Sequence, residues 1–325
     1  MQKKMKSYYR WFGLCIGLIA LTYFLNSALK QISTFPSLYW GLNGYVSFAA
    51  ATFLNAIVTL IGGYSWIILL RASGETLAAS EGLVIFTLSQ FAKYIPGNVA
   101  HHAGRIALAN SRGLALSRVA FTIVIETSWL IVAASILATI WLVLEGQNLF
   151  GYTQELPTVF QLAVTIGVAF LFPLSGGWIL FQWHPGPLQK ILRHGAVKFP
   201  SFLVLLSCLF IYMLCFLFMG VASDILAQYL FGAEGTRIIL LTGSFAIAWV
   251  AGFLAPGAPA GIGVREAILL KLLTPIYGGG VAVGLAISLR AITTLADVLT
   301  FIVALIAKGT MNSRHRELHP PHLIK

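Results

Sequence analysis

Two interrupted stretches decide how this chain folds. The first is the apolar run Gly82–Ala92, which leads into Lys93-Tyr94-Ile95-Pro96-Gly97. The second is Ile238–Ala255, which leads into Pro256-Gly257-Ala258-Pro259-Ala260-Gly261-Ile262-Gly263. Proline and glycine at these places break a helix and leave backbone groups unpaired. At membrane depth such backbone is tolerated only inside protein or beside a water-filled cavity. A spanning helix needs about 20 mostly apolar residues, and the first run is too short for that. The two stretches therefore predict helical hairpins over Gly82–Arg105 and Arg237–Leu273 that enter the membrane and turn back. The alternative is a normal span followed by an ordinary loop in each place.

Outward from these breaks the chain is lipid-facing material. Of its 325 residues, 58% are hydrophobic and 10% charged, whereas an average soluble domain carries roughly 25% charged residues. That excludes an ordinary cytosolic enzyme and an intrinsically disordered chain. Six segments are long and apolar enough to span: Trp11–Leu29, Tyr45–Leu70, Arg118–Leu144, Val159–Trp183, Ser201–Leu230 and Val281–Ala307. The first follows Lys3, Lys4, Lys6 and Arg10 with no convincing cleavage site, and reads as an uncleaved signal anchor. The expected fold is all-α and integral to the membrane. It has six full transmembrane helices plus two re-entrant hairpins, eight hydrophobic segments in one membrane domain over residues 1–325.

Charge sets the sidedness. With hairpins in place, 15 of the 21 Lys and Arg fall on one side: four at the N-terminus, Arg71, three over Arg105–Arg118, three over Lys190–Lys198 and four over Lys308–Lys325. The positive-inside rule makes that side the cytoplasm, with both termini there and the protein in a bacterial-type cytoplasmic membrane. A first hairpin that crossed fully would put Arg112 and Arg118 outside, against the bias. The net charge of +11 reads as loop anchoring, and no nucleic-acid motif accompanies it.

The two breaks also match each other. Arg105 follows Pro96 by nine residues, and Arg265 follows Pro256 by the same distance. Downstream, each meets a helix carrying a basic residue and then a buried acid, Arg118 with Glu126 and Arg290 with Asp297. Residues 1–158 and 159–307 read as two halves with three crossings each. The second is therefore inverted relative to the first, a plan common among transporters. Residues 308–325 read as a basic cytoplasmic tail.

The candidate site follows from this plan. Exposed backbone N–H groups at the two loop tips, built from Pro96, Gly97, Pro256, Gly257, Gly261 and Gly263, with the helix ends behind them, make anion sites. Arg105 and Arg265 can add bidentate contacts to a phosphate, Lys93 a point charge, and His101 a polar lining. Glu126 and Asp297 are intramembrane acids and so candidates for proton coupling or for structural pairs. Glu126 has no cation within helical reach and reads as the proton-exchanging one, while Asp297 with Arg290, two turns before it, reads as a structural pair. Glu266 reads as a helix cap. Asp224 reads as interfacial. Adjacent His101 and His102 should face different sides of a helix, which does not suit one metal. Cys208 and Cys215 lie about 10 Å apart along one helix face, too far to bridge. No cofactor, metal or nucleotide site is expected.

The stretch Phe91-Ala92-Lys93-Tyr94-Ile95-Pro96-Gly97 followed by Gly104-Arg105 resembles the first signature of the lysylphosphatidylglycerol synthase membrane-domain family. Pro256-Gly257 with Gly261-Ile262-Gly263-Val264-Arg265-Glu266-Ala267 resembles its second, and the likeness extends roughly over Tyr45–Ala307. The resemblance implies a flippase-like domain that moves a phosphate-bearing glycolipid or an aminoacyl-phospholipid between leaflets. It implies a transporter rather than an enzyme, since no synthase domain follows the last span and lysyl transfer is not expected. The implied partners are a membrane lipid substrate and a lipid-modifying synthase or glycosyltransferase. The rival expectation is a non-transporting component, or an enzyme, of glycolipid or polysaccharide assembly.

Overall fold

The computed structural model describes residues 18–19, 21–31, 38–39, 41–95, 100–149, 197–255 and 258–318. The described residues form helices and turns and contain no strand. The helices are α1 (residues 21–30), α2 (Leu42–Ala72), α3 (Ala79–Gln90), α4 (Ala100–Asn110), α5 (Leu116–Leu149), α6 (Phe202–Tyr229), α7 (Ile238–Leu254) and α8 (Val264–Leu318). Short 3-10 turns, Phe91–Tyr94 and Pro259–Gly261, lie at the two breaks. Four segments are long and apolar enough to cross a membrane: Leu42–Ala72, Leu116–Leu144, Phe202–Tyr229 and Pro259–Met311. The expected span Val159–Trp183 lies outside the described residues, as do the first half of Trp11–Leu29 and the tail beyond Leu318.

The expected gap between the second hairpin and the span Val281–Ala307 falls at Gly278 (φ 77, ψ 159), behind Pro275, where two helical limbs of α8 meet at a kink. Proline removes one backbone donor and glycine readily takes a backbone angle that other residues do not, so the first limb stops there and the second begins. The second limb runs on to Leu318.

The core is a packed antiparallel pair, α2 against α6. Cys208 Sγ lies 3.9 Å from the Ser65 carbonyl and Cys215 Sγ lies 3.9 Å from that of Val58. Further along, Tyr39 N donates to the Leu230 carbonyl at 3.1 Å. Small residues let the backbones approach, as is usual where lipid supplies no hydrophobic drive. A Cβ at Gly220 would overlap Thr242 of α7, and one at Gly243 would run into Trp141 of α5.

The two ends differ. At one end Arg118 donates to the Gly74 carbonyl at 3.0 Å and pairs with Glu75 at 3.2 Å, and Arg112 pairs with Glu81. At the other end the buried Asp224 accepts from the Arg237 backbone N–H at 2.8 Å and from Gln228 at 2.7 Å. It thereby holds the start of α7 against the end of α6, a role more specific than an interfacial placement. α3 runs inward from the first end and α4 returns to it. α7 runs inward from the second end, and the first limb of α8 returns to Gly278. At about 1.5 Å per residue, neither the 12-residue α3 nor the 11-residue α4 covers 30 Å. The turns Phe91–Tyr94 and Pro259–Gly261 touch each other in the middle of the molecule.

Candidate functional site

Where the two turns meet there is a cavity of about 230 Å³. It is walled by α2 through α8, and Lys93, His101, Arg105, Glu126, Arg265, Arg290 and Asp297 all line it. Residues separated by up to 204 positions in the sequence thus share one polar chamber. Pro96, Gly97, Pro256 and Gly257 lie outside the described residues.

Arg105 is fully buried and forms an ion pair with buried Glu126 of α5. Its guanidinium carbon sits 4.1 Å from the Phe86 ring centroid and 5.2 Å from that of Trp66. Aromatic faces stabilise a desolvated cation without consuming its N–H donors. Nε and Nη2 of Arg105 indeed have no hydrogen-bond partner. Glu126 is therefore not an unpartnered acid: the expectation of a free proton-exchanging carboxylate is overturned. The partner comes from α4, across a turn, where helical spacing within α5 does not reach.

Asp297 is corrected too. Arg290 and Asp297 stand two turns apart on α8, about 10 Å of rise, and they do not pair. Arg290 instead reaches Glu266 at 2.6 Å and donates to the Ala260 carbonyl at 3.2 and 3.3 Å. Asp297 accepts from Lys93 Nζ at 2.7 Å and from the Tyr94 hydroxyl at 2.6 Å. One face of α8 thus holds both breaks: Asp297 holds the first and Arg290 the second. Ala260 has φ 48, a left-handed conformation uncommon for alanine. Two guanidinium donors on its carbonyl stabilise it there.

Over Gly261–Gly263, the described part of the second turn, the backbone N–H groups are already engaged and do not form the open cradle expected there. Gly263 N donates to Glu266 Oε2 at 2.7 Å, Gly261 N to the Ala258 carbonyl at 3.0 Å and Ile262 N to the Pro259 carbonyl at 2.9 Å. The glycines serve geometry instead. Gly261 (φ 69) and Gly263 (φ 84) take left-handed turns, and Gly261 backs onto Gly252 of α7 so closely that a Cβ would lie 2.9 Å from the Gly252 Cα. Glu266 is both the expected cap and the anchor for Arg290.

That leaves Arg265. Its guanidinium lies 4.3 Å from the Phe245 ring centroid, its Nη2 is buried without a hydrogen-bond partner, and it forms no ion pair among the described residues. Four cations line the chamber. Glu126, Asp297 and Glu266 engage three of them, so among the described residues Arg265 is left without an ion pair. His101 and His102 do not point apart: their ring centroids are 3.8 Å apart and both line the chamber. Among the described residues no group of three or more His, Cys, Asp or Glu could hold a metal ion.

Sequence reasoning missed Tyr94 and the aromatic supports Trp66, Phe86 and Phe245. Tyr94 is the immediate neighbour of Lys93, which was the available signal. The aromatics are spread over three helices with no periodic mark. No protein-family model matches this chain, and no curated protein matches it.

Proposed function

We propose that this protein is a multi-pass transporter of the cytoplasmic membrane that moves a phosphate-bearing lipid between leaflets. On this reading α3–α4 and α7 with the first limb of α8 are re-entrant hairpins. They belong to two inverted halves and meet near the bilayer midplane. The end carrying Arg112, Arg118 and Lys198 faces the cytoplasm, and so do both termini. The observation that carries the reading is Arg265, a cation with no ion pair among the described residues, on the wall of a chamber in an apolar protein. A charge in that setting is costly unless something pairs with it. A phosphodiester supplies one negative charge and acceptor oxygens for the free donors of Arg265 and Arg105. The acids around the chamber are each held by a cation, an arrangement suited to binding rather than to acid catalysis.

Reconstitution tests this. Proteoliposomes should move a fluorescently labelled anionic phospholipid across the bilayer, read by its accessibility to a membrane-impermeant quencher. A charge-assisted hydrogen bond contributes about 1.5–3 kcal/mol. Arg265→Ala should therefore slow the movement about tenfold or more while leaving the protein monodisperse. Equal movement by the variant and the wild type, or none by the wild type above empty liposomes, would refute the function.

A further inference from the structure

The geometry points to His101 and His102 as a proton-accepting pair, through which one proton enters the chamber with each lipid phosphate. This rests on the proposed transport of an anion and adds how the step is coupled. Both rings lie at the inner end of α4, on the chamber wall, with centroids 3.8 Å apart. Nδ1 of each is buried and has no hydrogen-bond partner. Each ring thus keeps a nitrogen whose hydrogen-bonding capacity the protein does not use.

No other group in the chamber is as available. Glu126, facing α4 from α5, is tied to Arg105, and Asp297, across the chamber on α8, is tied to Lys93 and Tyr94. Protonating either carboxylate would cost an ion pair. Arg265 and Arg290 on α8 are guanidinium donors and offer a proton no acceptor. The neighbouring α3 contributes Gln90 to the wall, which does not titrate.

The charges of Arg105 and Lys93 on the same wall oppose a charged imidazole as long as no anion stands beside it. An entering phosphate reverses the balance, because an opposite charge within about 4–6 Å favours the charged form of a base. The proton comes from water, adds to one imidazole nitrogen, and leaves when the anion leaves. Two imidazolium rings 3.8 Å apart would repel each other, so the pair takes one proton and not two. An imidazole is the side chain whose ordinary range brings such a change near neutral pH.

Calorimetry counts the proton. Purified protein in detergent is titrated at pH 7 with dihexanoylphosphatidylglycerol, in buffers of differing ionisation enthalpy. The slope of apparent enthalpy against buffer enthalpy gives protons exchanged per lipid bound. We expect uptake of about one proton by the wild type, close to none by His101→Gln/His102→Gln, and uptake retained by His102→Gln alone. Wild-type binding without proton uptake would overturn the inference and leave the transport reading standing. Undiminished uptake in a double variant that still binds would also overturn it, by placing the proton elsewhere. Should the double variant not fold, the wild-type slope and that of His102→Gln still decide. No binding by the wild type would overturn the inference and the transport reading together.

Discussion

Removing the carboxylate of Glu126 should destabilise this protein more than almost any other single change of comparable size. Arg105 has no exposed surface, and Glu126 is its only anionic partner among the described residues. Breaking a buried pair by deleting one partner costs about 3–5 kcal/mol, because the survivor is a buried charge without compensation. Glu126→Gln keeps the shape and one acceptor oxygen, and Phe86 and Trp66 still face the guanidinium. The loss should therefore sit near the lower end, about 3 kcal/mol, or roughly a hundredfold in the folding equilibrium. The double variant Arg105→Met/Glu126→Met should recover most of it. It removes both charges, fills a similar volume, and places thioethers beside Trp66 and Phe86, where sulfur packs well. It also removes the unpartnered Nε and Nη2 donors that the native protein buries. Unfolding in mixed detergent–SDS micelles, followed by tryptophan fluorescence, measures all three proteins. Lipid binding should weaken in the double variant, which lacks the free donors of Arg105. A Glu126→Gln protein within about 1 kcal/mol of wild type, or a double variant as unstable as the single, would refute the reasoning.

Two further outcomes follow from the ties at the breaks. Asp297→Ala should release the turn Phe91–Tyr94 and speed amide exchange over it and α4, since Lys93 and Tyr94 both bind that carboxylate. Lys93→Met should cost about 1–3 kcal/mol, because it leaves the buried Asp297 carboxylate to the Tyr94 hydroxyl; unchanged exchange in Asp297→Ala would show the tie to be incidental. Ser111→Cys, beside the Arg112–Glu81 pair, should resist a membrane-impermeant thiol reagent in intact cells and react in inverted vesicles. Labelling from outside would remove the first hairpin and the assigned sidedness.

Much of the framework was legible because the solvent dictates it. Segments of about 20 apolar residues announce α2, α5 and α6, and helix-breaking prolines announce the two interruptions. The break at Gly278 was legible too, since Pro275 and Gly278–Gly280 fall between the expected hairpin and the expected span Val281–Ala307. How closely its neighbours pack, with Gln31 beside Gly279 and Phe231 beside Gly284, was not.

The site shows the same division more sharply. Lys93, His101, Arg105, Glu126, Arg265, Arg290 and Asp297 could be picked out one by one, since each is a polar residue in an apolar segment. Their partners could not, because ion pairs here run between elements. Matching the two halves by order alone equates Glu126 with Asp297. The geometry suggests another equivalence. Gly113 (φ 80) and Gly278 (φ 77) each stand between a short inner helix and the long helical limb that follows. Counted from those glycines, Glu126 comes 13 residues on and Arg290 comes 12. Each then pairs back onto the inner helix, Glu126 to Arg105 and Arg290 to Glu266. The two clasps occupy matching places with their charges exchanged. The inner helix is tied to the limb either way, but only in the second half does the arginine behind the break, Arg265, keep its charge free. One arginine stands behind each break, and the place of the carboxylate makes the two unequal. Arg105, its charge held by Glu126 between two aromatic rings, keeps for a ligand the free donors Nε and Nη2. On the proposed reading Arg265 is the charge that the chamber offers to a ligand.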